Sequence, residues 1–287
     1  MPYTVSASFD AFYANINLSG DHRQIANTRR DDVVDTLSKK FEIVESFATG
    51  SIPKYTALKD QADLDVMVAL HYGKHIKDKT PTQVLQDVRD GLAEWRTGAR
   101  KNGQAVTLYY RTWPNVDVVP VSRVVNDDGT ISHYNVPDSN TDTWIPSRPK
   151  LHASKIESKS SDCGQNFRRI IKMIKHWNKI HGDYLQSYHI EILALNVFDT
   201  SLDDTPWYVF QFFDKARPLL ADNIWYELGY ADSYLSWSDR QEALKRFDTA
   251  ISKSRDAWSR TFNGNDDHKG AIQIWRQIFG DKFPAYG

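Results

Sequence analysis

Hydrophobic and polar positions follow different patterns in the two halves of the chain. Up to about residue 146, apolar residues fall in short β-branched runs separated by Gly, Asp, Asn and Pro, which is typical of strands. The predicted strands are Phe41–Phe47, Leu64–Leu70, Ala105–Tyr110, Val116–Val125 and Ile131–Val136. Asp127-Asp128-Gly129 predicts a hairpin turn between the last two strands.

Helical spacing of apolar residues dominates the second half. Before residue 150 the predicted helices are Phe9–Leu18, Asp21–Lys39 and Pro81–Trp95, the last with Thr80 as its N-cap. After residue 150 they are Gln165–His181, Ser187–Phe198, Asp239–Arg260 and Ala271–Phe279. The Pro-containing segment Thr141–Lys150 is interpreted as a hinge. We therefore expect an α+β lobe with leading helices over residues 1–150 and a helical lobe over 151–287, and the leading helices are free to pack on either lobe.

Composition limits the function classes. The 287 residues carry 36 Lys and Arg against 37 Asp and Glu, for a net charge of −1, which argues against tight non-specific attachment to nucleic acid. No apolar run is long enough to span a bilayer, and the N-terminus MPYTVSASFD lacks signal-peptide features, so a cytoplasmic protein is expected. The single cysteine, Cys163, fits a reducing compartment and removes all-cysteine zinc sites.

Three aspartates form the strongest candidate site. Asp63 and Asp65 lie two residues apart in an apolar run, so on a strand their carboxylates project from one face, about 6.5 Å apart. Asp117 lies inside a second apolar run and can complete the site from a neighbouring strand. Carboxylates this close raise the pKa of one another unless a cation such as Mg²⁺ or Mn²⁺ separates them. Three of them can hold two metal ions about 3.5–4 Å apart for in-line displacement at phosphorus.

Gly50 and Ser51 follow the first predicted strand. A Gly-Ser turn lets backbone N–H groups approach an anion closely. The next segment, with Pro53 near its start, is predicted to begin a helix whose N-terminus favours phosphate. Strand, Gly-Ser, Asp-x-Asp and a later single Asp form a more specific combination than any of these features alone.

This combination resembles the DNA-polymerase-β-like nucleotidyltransferases, and in detail the bacterial CD-NTase family of cyclic GMP-AMP synthase/DncV-like enzymes. These are the SMODS-type cyclic oligonucleotide synthases of CBASS antiphage systems. Gly50, Ser51, Asp63, Asp65 and Asp117 match the core motif, which begins at Ala62 around the first two acids. The later matches are Ile170–Asn178 for a lysine-bearing helix, Ser187–Glu191 for a Ser-Tyr-x-x-Glu element, and Trp275–Gly280 with Phe283-Pro284 for a closing segment.

The predicted helix Gln165–His181 carries a cationic stripe. Arg168, Lys172, Lys175 and Lys179 fall on one narrow face and apolar residues occupy most of the rest, so the stripe lines either water or a cleft. Facing the acids, Lys172 and Lys175 would bind the β- and γ-phosphates of a nucleoside triphosphate. The resemblance adds the Ser187 hydroxyl to that triphosphate, although Ser187 can equally cap the helix that begins there.

The resemblance implies a polymerase-β-like core and a C-terminal helical lobe with the active site in the cleft between them. It implies that two Mg²⁺ ions, or Mn²⁺, act on ATP or other nucleoside triphosphates, releasing pyrophosphate and closing a cyclic di- or trinucleotide. A separate effector protein would respond to the product, and we expect no DNA or RNA activator. Conjugation of Gly287 to a partner stays open beside a free tail, as do the joined bases, the linkage and the ring size.

Two other functions fit the same residues. The chain could transfer one nucleotide to an antibiotic, a protein or an RNA 3′ end, or it could be a non-catalytic nucleotide-binding protein. For His71, His75, His176, His181 and His189 the sequence favours structural roles over metal binding, because no cysteine or carboxylate completes a ligand spacing.

Overall fold

The computed structural model describes residues 3–18, 20–59, 61 and 63–287, so Met1, Pro2 and Ala62 of the sequence motifs lie outside the described residues. The helices are α1 Val5–Ile16, α2 Gly20–Ser38, α3 Pro81–Ala93, α4 Pro149–Cys163, α5 Asn166–Ile180, α6 Ser187–Val197, α7 Thr205–Ala221, α8 Trp237–Ser259 and α9 His268–Phe279. The strands are β1 Ile43–Thr49, β2 Leu64–Leu70, β3 Arg100–Asn102, β4 Ala105–Leu108, β5 Val116–Val125, β6 Ile131–Asp138, β7 Thr143–Ser147, β8 Trp225–Tyr226 and β9 Gly229–Tyr230. The fold is therefore α+β, as predicted.

The chain divides into two compact units. One comprises Leu18–Ala153, and the other comprises Met1–Asn17 together with Ser154–Gly287. The first helix thus groups with the C-terminal helices, whereas the predicted boundary at residue 150 counts it with the first lobe. Its aromatic face explains the difference: the rings of Phe9 and Phe12 lie 4.9 Å from Trp275 and 4.6 Å from Phe279, respectively.

Seven of the strands form one sheet in the unit Leu18–Ala153. Its main order is β1-β2-β5-β4-β3, and β6 and β7 continue from the second half of β5. Only β2 and β5 pair in parallel among these strands; every other pairing is antiparallel. The long strand β5 therefore lies at the centre of the sheet and brings its first residues beside the start of β2.

Alternation along the central strands gives the sheet two different faces. Leu64 and Val66 of β2 and Val116 and Val118 of β5 pack in a buried core with residues of α2 and α3. Side chains at the intervening positions project to the opposite face, since successive strand residues point to opposite sides. A smaller apolar cluster that includes Met67 covers part of that second face.

Local signals placed several elements correctly. β2 and β5 have the predicted bounds. α3 begins with the predicted Thr80 cap, and Thr80 and Gln83 form a reciprocal capping box. Asn126 and Thr130 bond across the predicted hairpin turn between β5 and β6.

The predicted hinge Thr141–Lys150 is wrong. Its first part is β7, which pairs with β6 from Thr143 to Ser147, and α4 begins at Pro149. Pro146 does not prevent pairing, because β7 is an edge strand and a proline, which lacks an N–H, is tolerated in an edge strand. Pro149 suits the first helical position for the same reason.

Helix α7 was not predicted, although its start carries a recognisable signal. The Asp204 side chain accepts a hydrogen bond from the N–H of Trp207, and Pro206 lies in the first turn. Its aromatic content and Pro218 weaken the helical pattern. In the described part of the chain, no helix has the length and apolar character needed to cross a membrane.

Candidate active site

Asp65 and Asp117 lie side by side near the start of two parallel strands. Asp65 of β2 is the cross-strand partner of Asp117 of β5. Thr49 of β1 flanks Asp65 on one side, and Thr107 of β4 flanks Asp117 on the other. Partners in register project to the same face, so these four residues form one line across the sheet, here called the acid row. It lies on the face opposite α2 and α3.

The charge of Asp63 acts on the two acids of the acid row. It directly precedes β2 and lies two positions before Asp65. The negative charge of Asp63 contributes to raising the pKa of both Asp65 and Asp117. The structure therefore brings the three predicted carboxylates into one electrostatic environment.

Burial raises the pKa of Asp65 to about 7, and repulsion from Asp117 and Asp63 adds to this effect while Lys54 opposes it. Burial likewise raises the pKa of Asp117, and the hydrogen bond from Thr107 opposes that rise. The protein thus collects negative charge where solvent stabilises it poorly.

Gly50 is required by the position of Asp65. Its φ of +74° is a left-handed conformation, and a Cβ built on it would lie 1.8 Å from Oδ2 of Asp65. Gly50 directly follows Thr49, the strand partner of Asp65, so the carboxylate lies against the backbone of the Gly-Ser turn. A glycine therefore makes room for the Asp65 carboxylate as well as allowing the turn.

The predicted helix after the Gly-Ser turn is wrong. Residues 51–55 form turns, in which Tyr55 N–H donates to Ile52 O at 3.1 Å and Thr56 N–H donates to Ser51 O at 3.0 Å. Tyr55 has a φ of +61°, which turns the chain out of the helical path. The feature available to an anion is accordingly a tight turn and not the N-terminus of a helix.

Sequence reasoning missed two side chains of this site. Thr107 is buried and donates a hydrogen bond to Oδ1 of Asp117 at 2.5 Å. Lys54 lies close enough to lower the pKa of Asp65. A lysine three residues after Ser51 was a visible signal, whereas the role of Thr107 depends on the register of β4 against β5.

The donor set fits a hard divalent cation by its chemistry. The three carboxylates offer oxygen ligands, and their repulsion is the condition that a cation relieves. In residues 3–18, 20–59, 61 and 63–287, no three His, Cys, Asp or Glu side chains already converge as metal ligands.

Lys172 and Lys175 of α5 are buried within the helical unit. Nζ of Lys172 donates to Oδ1 of Asn17 at 2.6 Å and lies 5.3 Å from the ring centroid of Tyr13. Nζ of Lys175 forms a buried ion pair with Oε1 of Glu191 at 2.7 Å. Glu191 is the acid of the predicted Ser-Tyr-x-x-Glu element, which gives that element a structural partner on α5.

The other two cations of the predicted stripe also have partners. Arg168 pairs with Glu157, and Lys179 pairs with Asp183 at 2.5 Å. Each of the four cations in the stripe thus has a partner, an amide oxygen for Lys172 and a carboxylate for the other three. A helical wheel gives the direction of each side chain but not the acids that other helices supply.

The predicted capping role of Ser187 is wrong. α6 begins at Ser187 itself, and Gln186 occupies the N-cap position with no side-chain cap. Ser187 is exposed, and its hydroxyl forms no hydrogen bond to any other described residue. Phosphate contact is the part of the prediction for Ser187 that stays open.

Histidines of the helical unit have structural bonds. Nε2 of His176 lies 3.0 Å from the carbonyl oxygen of Phe279, and Nε2 of His181 lies 2.9 Å from that of Ile278. These carbonyls end α9, where no intrahelical donor is available. The two imidazoles therefore connect the end of α9 to α5.

Comparison with known proteins identifies the family. The model of the Second Messenger Oligonucleotide or Dinucleotide Synthetase (SMODS) domain matches residues 3–160, more than half of the chain. The chain belongs to the SMODS family. It is accordingly a nucleotidyltransferase of the class that synthesises cyclic oligonucleotides, and its family resemblance is confirmed.

Individual relatives of this SMODS protein are distant but extensive. It is 22% identical to a probable cyclic nucleotide synthase of Bacillus cereus strain VD146, over 100% of this chain and 99% of that one. It is also 22% identical to the CBASS oligonucleotide cyclase CdnC of Escherichia coli strain KTE188, over 66% of this chain and 64% of the relative.

Solved structures confirm the polymerase-β-like fold. CdnC of E. coli MS115-1 with ATP superimposes with a TM-score of 0.79 at 17% identity, covering 97% of this chain and 98% of that one. The same protein in a complex with HORMA-deltaN gives a TM-score of 0.76 at 15% identity, with the same coverage of 97% and 98%. At these identities the structural match concerns the fold alone.

Proposed function

We propose that this SMODS protein joins nucleoside triphosphates into a cyclic di- or trinucleotide at Asp63, Asp65 and Asp117. The observation that carries the proposal is the acid row, in which Asp65 and Asp117 are direct strand partners beside the Gly50 turn. The family supplies the reaction class, and the row supplies carboxylates of raised pKa on one face of the sheet.

Asp63, Asp65 and Asp117 would hold two Mg²⁺ ions, or Mn²⁺ in their place. Bound there, the ions would offset charge on the transferring phosphoryl group and acidify the attacking hydroxyl. The Gly50-Ser51 turn would bind the triphosphate through its backbone N–H groups and the Ser51 hydroxyl. Lys172, Lys175 and Ser187 remain the predicted triphosphate contacts of the helical unit, as the resemblance implies.

Asp117 would accept the proton of the attacking ribose hydroxyl. The hydrogen bond from Thr107 fixes one oxygen of Asp117, which leaves Oδ2 for this role. The hydroxyl oxygen attacks the α-phosphorus, the bond between that phosphorus and the bridging oxygen breaks, and pyrophosphate leaves. A second round within the linear dinucleotide closes a cyclic dinucleotide, whereas a cyclic trinucleotide needs a third nucleotide and a third round, each round releasing one pyrophosphate.

The relatives suggest the biological setting. CdnC is named a CBASS oligonucleotide cyclase, so we place the product in antiphage signalling, where a separate effector protein would respond to it. The complex of CdnC with HORMA-deltaN suggests a regulatory protein partner. A cytoplasmic location and conjugation through Gly287 stay predictions of the sequence.

The test is pyrophosphate release from the four nucleoside triphosphates with Mg²⁺. Asp63→Ala/Asp65→Ala should abolish release, whereas the matched exposed pair Asp31→Ala/Asp32→Ala on α2 should release pyrophosphate like the original protein. Unchanged release in the first variant refutes the assignment of the acids. Mass spectrometry of phosphatase-resistant product identifies a ring; a nucleotide attached to another acceptor refutes cyclisation.

A further inference from the structure

Arg29 of α2 is a buried cation with an unusual set of partners. Only 9% of its surface is exposed, yet no carboxylate forms an ion pair with it within the described ranges. A buried charge is costly unless polar groups compensate it. The groups that compensate Arg29 all belong to the loop between β4 and β5, residues 109–115.

The guanidinium binds this loop at three points. Nη1 donates to the carbonyl oxygen of Thr112 at 2.8 Å and to that of Pro114, and Nη2 donates to Oγ1 of Thr112 at 2.7 Å. Two carbonyl oxygens and one hydroxyl of the loop thereby accept hydrogen bonds from Arg29, which hold the loop against α2. A planar group with several donors in fixed directions is suited to this arrangement.

The ring of Tyr110 gives the loop a fourth contact. Cζ of Arg29 lies 4.0 Å from the ring centroid, and Cζ of Arg96 lies 3.8 Å from the same centroid. Both guanidinium groups thus lie at cation–π distance from the Tyr110 ring. Cation–π attraction to Arg29 therefore adds to the hydrogen bonds that hold the loop, and Arg96 attracts the same ring.

The loop is hydrogen-bonded to the starts of the two strands that carry Asp65 and Asp117. Oδ1 of Asn115 accepts a hydrogen bond from Tyr110 N–H at 3.1 Å, and its carbonyl oxygen accepts one from Leu64 N–H at 2.9 Å. Leu64 directly precedes Asp65, and Asn115 lies two residues before Asp117. A displacement of the loop would therefore move the starts of both acid-bearing strands.

We propose that Arg29 is a positioning residue that sets the acid row by clamping residues 109–115. Arg29 contacts none of the three acids, and it acts through Asn115 on the two strands. The inference deepens the proposed function, on which it rests for its effect on catalysis. Misplacement of reacting groups by 1 Å can cost about a hundredfold in rate, so a loosened clamp should be measurable.

The test compares Arg29→Lys with Arg30→Lys, the same exchange at the next residue of α2. Arg30 pairs with Asp31 at the surface and is 32% exposed, which makes it a matched control. Lysine keeps the charge of Arg29 but cannot reproduce the fork of bonds or the planar stacking. We expect Arg29→Lys to lower kcat about tenfold or more with the KM for triphosphate within about twofold, and Arg30→Lys to change neither.

Hydrogen exchange supplies a readout independent of turnover. In Arg29→Lys, amide exchange should rise by about tenfold at residues 109–117 and at Leu64, while exchange in α5 and α9 stays unchanged. Thr112→Val removes one of the three bonds and should give a smaller change in the same amides. Uniformly faster exchange in both variants would indicate general destabilisation and overturn the proposal.

The outcomes separate the clamp from the proposed function. Unchanged exchange at residues 109–117 in Arg29→Lys overturns the clamp. Faster exchange there with a full kcat overturns the positioning role. If the original protein releases no pyrophosphate from any triphosphate, the proposed function fails, and the exchange data still decide whether Arg29 clamps the loop.

Discussion

Replacing Gly50 with alanine separates the two demands that the structure makes on this residue. The first demand is conformational, because a φ of +74° costs an alanine about 1–2 kcal/mol relative to ordinary backbone conformations. The second is spatial. An alanine Cβ would lie 1.8 Å from Oδ2 of Asp65, and real contacts of this kind are no shorter than about 3.0 Å. The carboxylate must therefore retreat by more than about 1 Å, a distance that can cost about a hundredfold in rate.

Gly129 provides the matched control. Its φ is +81°, close to that of Gly50, but nothing lies within 4 Å of a Cβ built on it. Both Gly50→Ala and Gly129→Ala should lower the free energy of unfolding by about 1–2 kcal/mol through backbone strain. Only Gly50→Ala should also lower kcat for pyrophosphate release, by about a hundredfold.

The assay combines urea unfolding in EDTA with pyrophosphate release in Mg²⁺. Urea unfolding reports the conformational cost that both variants share, and turnover reports the displacement of Asp65. A Gly50→Ala protein that keeps more than about a third of the original kcat would refute the reasoning that Asp65 must occupy the space beside Gly50. Equal loss of kcat in both variants would assign the effect to strain instead.

Three further changes test other contacts. Thr107→Val removes the hydrogen bond to Asp117 and should lower kcat about tenfold with little change in the urea midpoint. Glu191→Gln removes the buried partner of Lys175 and should lower the free energy of unfolding by about 3–5 kcal/mol, whereas Lys175→Met/Glu191→Leu should recover most of it in the same urea titration. Burial lowers the pKa of His189 from 6.5 to about 4, so the unfolded chain binds more protons between these values and stability is lost as pH falls through them. His189→Gln should remove about 3 kcal/mol of that loss, measured by urea titrations at pH 7 and pH 4.

Local pattern was sufficient to place the two strands that carry predicted site residues. Each acid-bearing strand is an apolar run that contains one aspartate. The run predicts the bounds of β2 and β5, and the polar position within it identifies Asp65 and Asp117. Alternation then predicts the shared face of Asp63 and Asp65. The strand bounds were predicted correctly because strand pattern is a property of neighbouring residues, whereas the shared face of Asp63 and Asp65 stays a prediction.

Contacts between distant parts of the chain were not predictable in the same way. Thr107 becomes a partner of Asp117 only through the register of β4 against β5, and Arg29 reaches its loop across 83 residues of sequence. The hinge prediction for the segment around Pro146 is wrong because a proline in an edge strand and a proline in a hinge have the same sequence pattern. Sequence alone gives the types of these residues but not their partners.

The two predicted sets of charge differ in how the fold compensates them. The ammonium groups of Lys172 and Lys175 have an amide oxygen and a carboxylate as partners within their own unit. The carboxylates of the acid row have mainly one another, Thr107 and Lys54, and burial raises the pKa of Asp65 and Asp117. A divalent cation that binds the carboxylates relieves their mutual repulsion, and this adds to its binding free energy. A lysine that already has a partner within the protein gains much less when it binds a phosphate. Ligand binding should therefore depend more steeply on the acids than on the lysines.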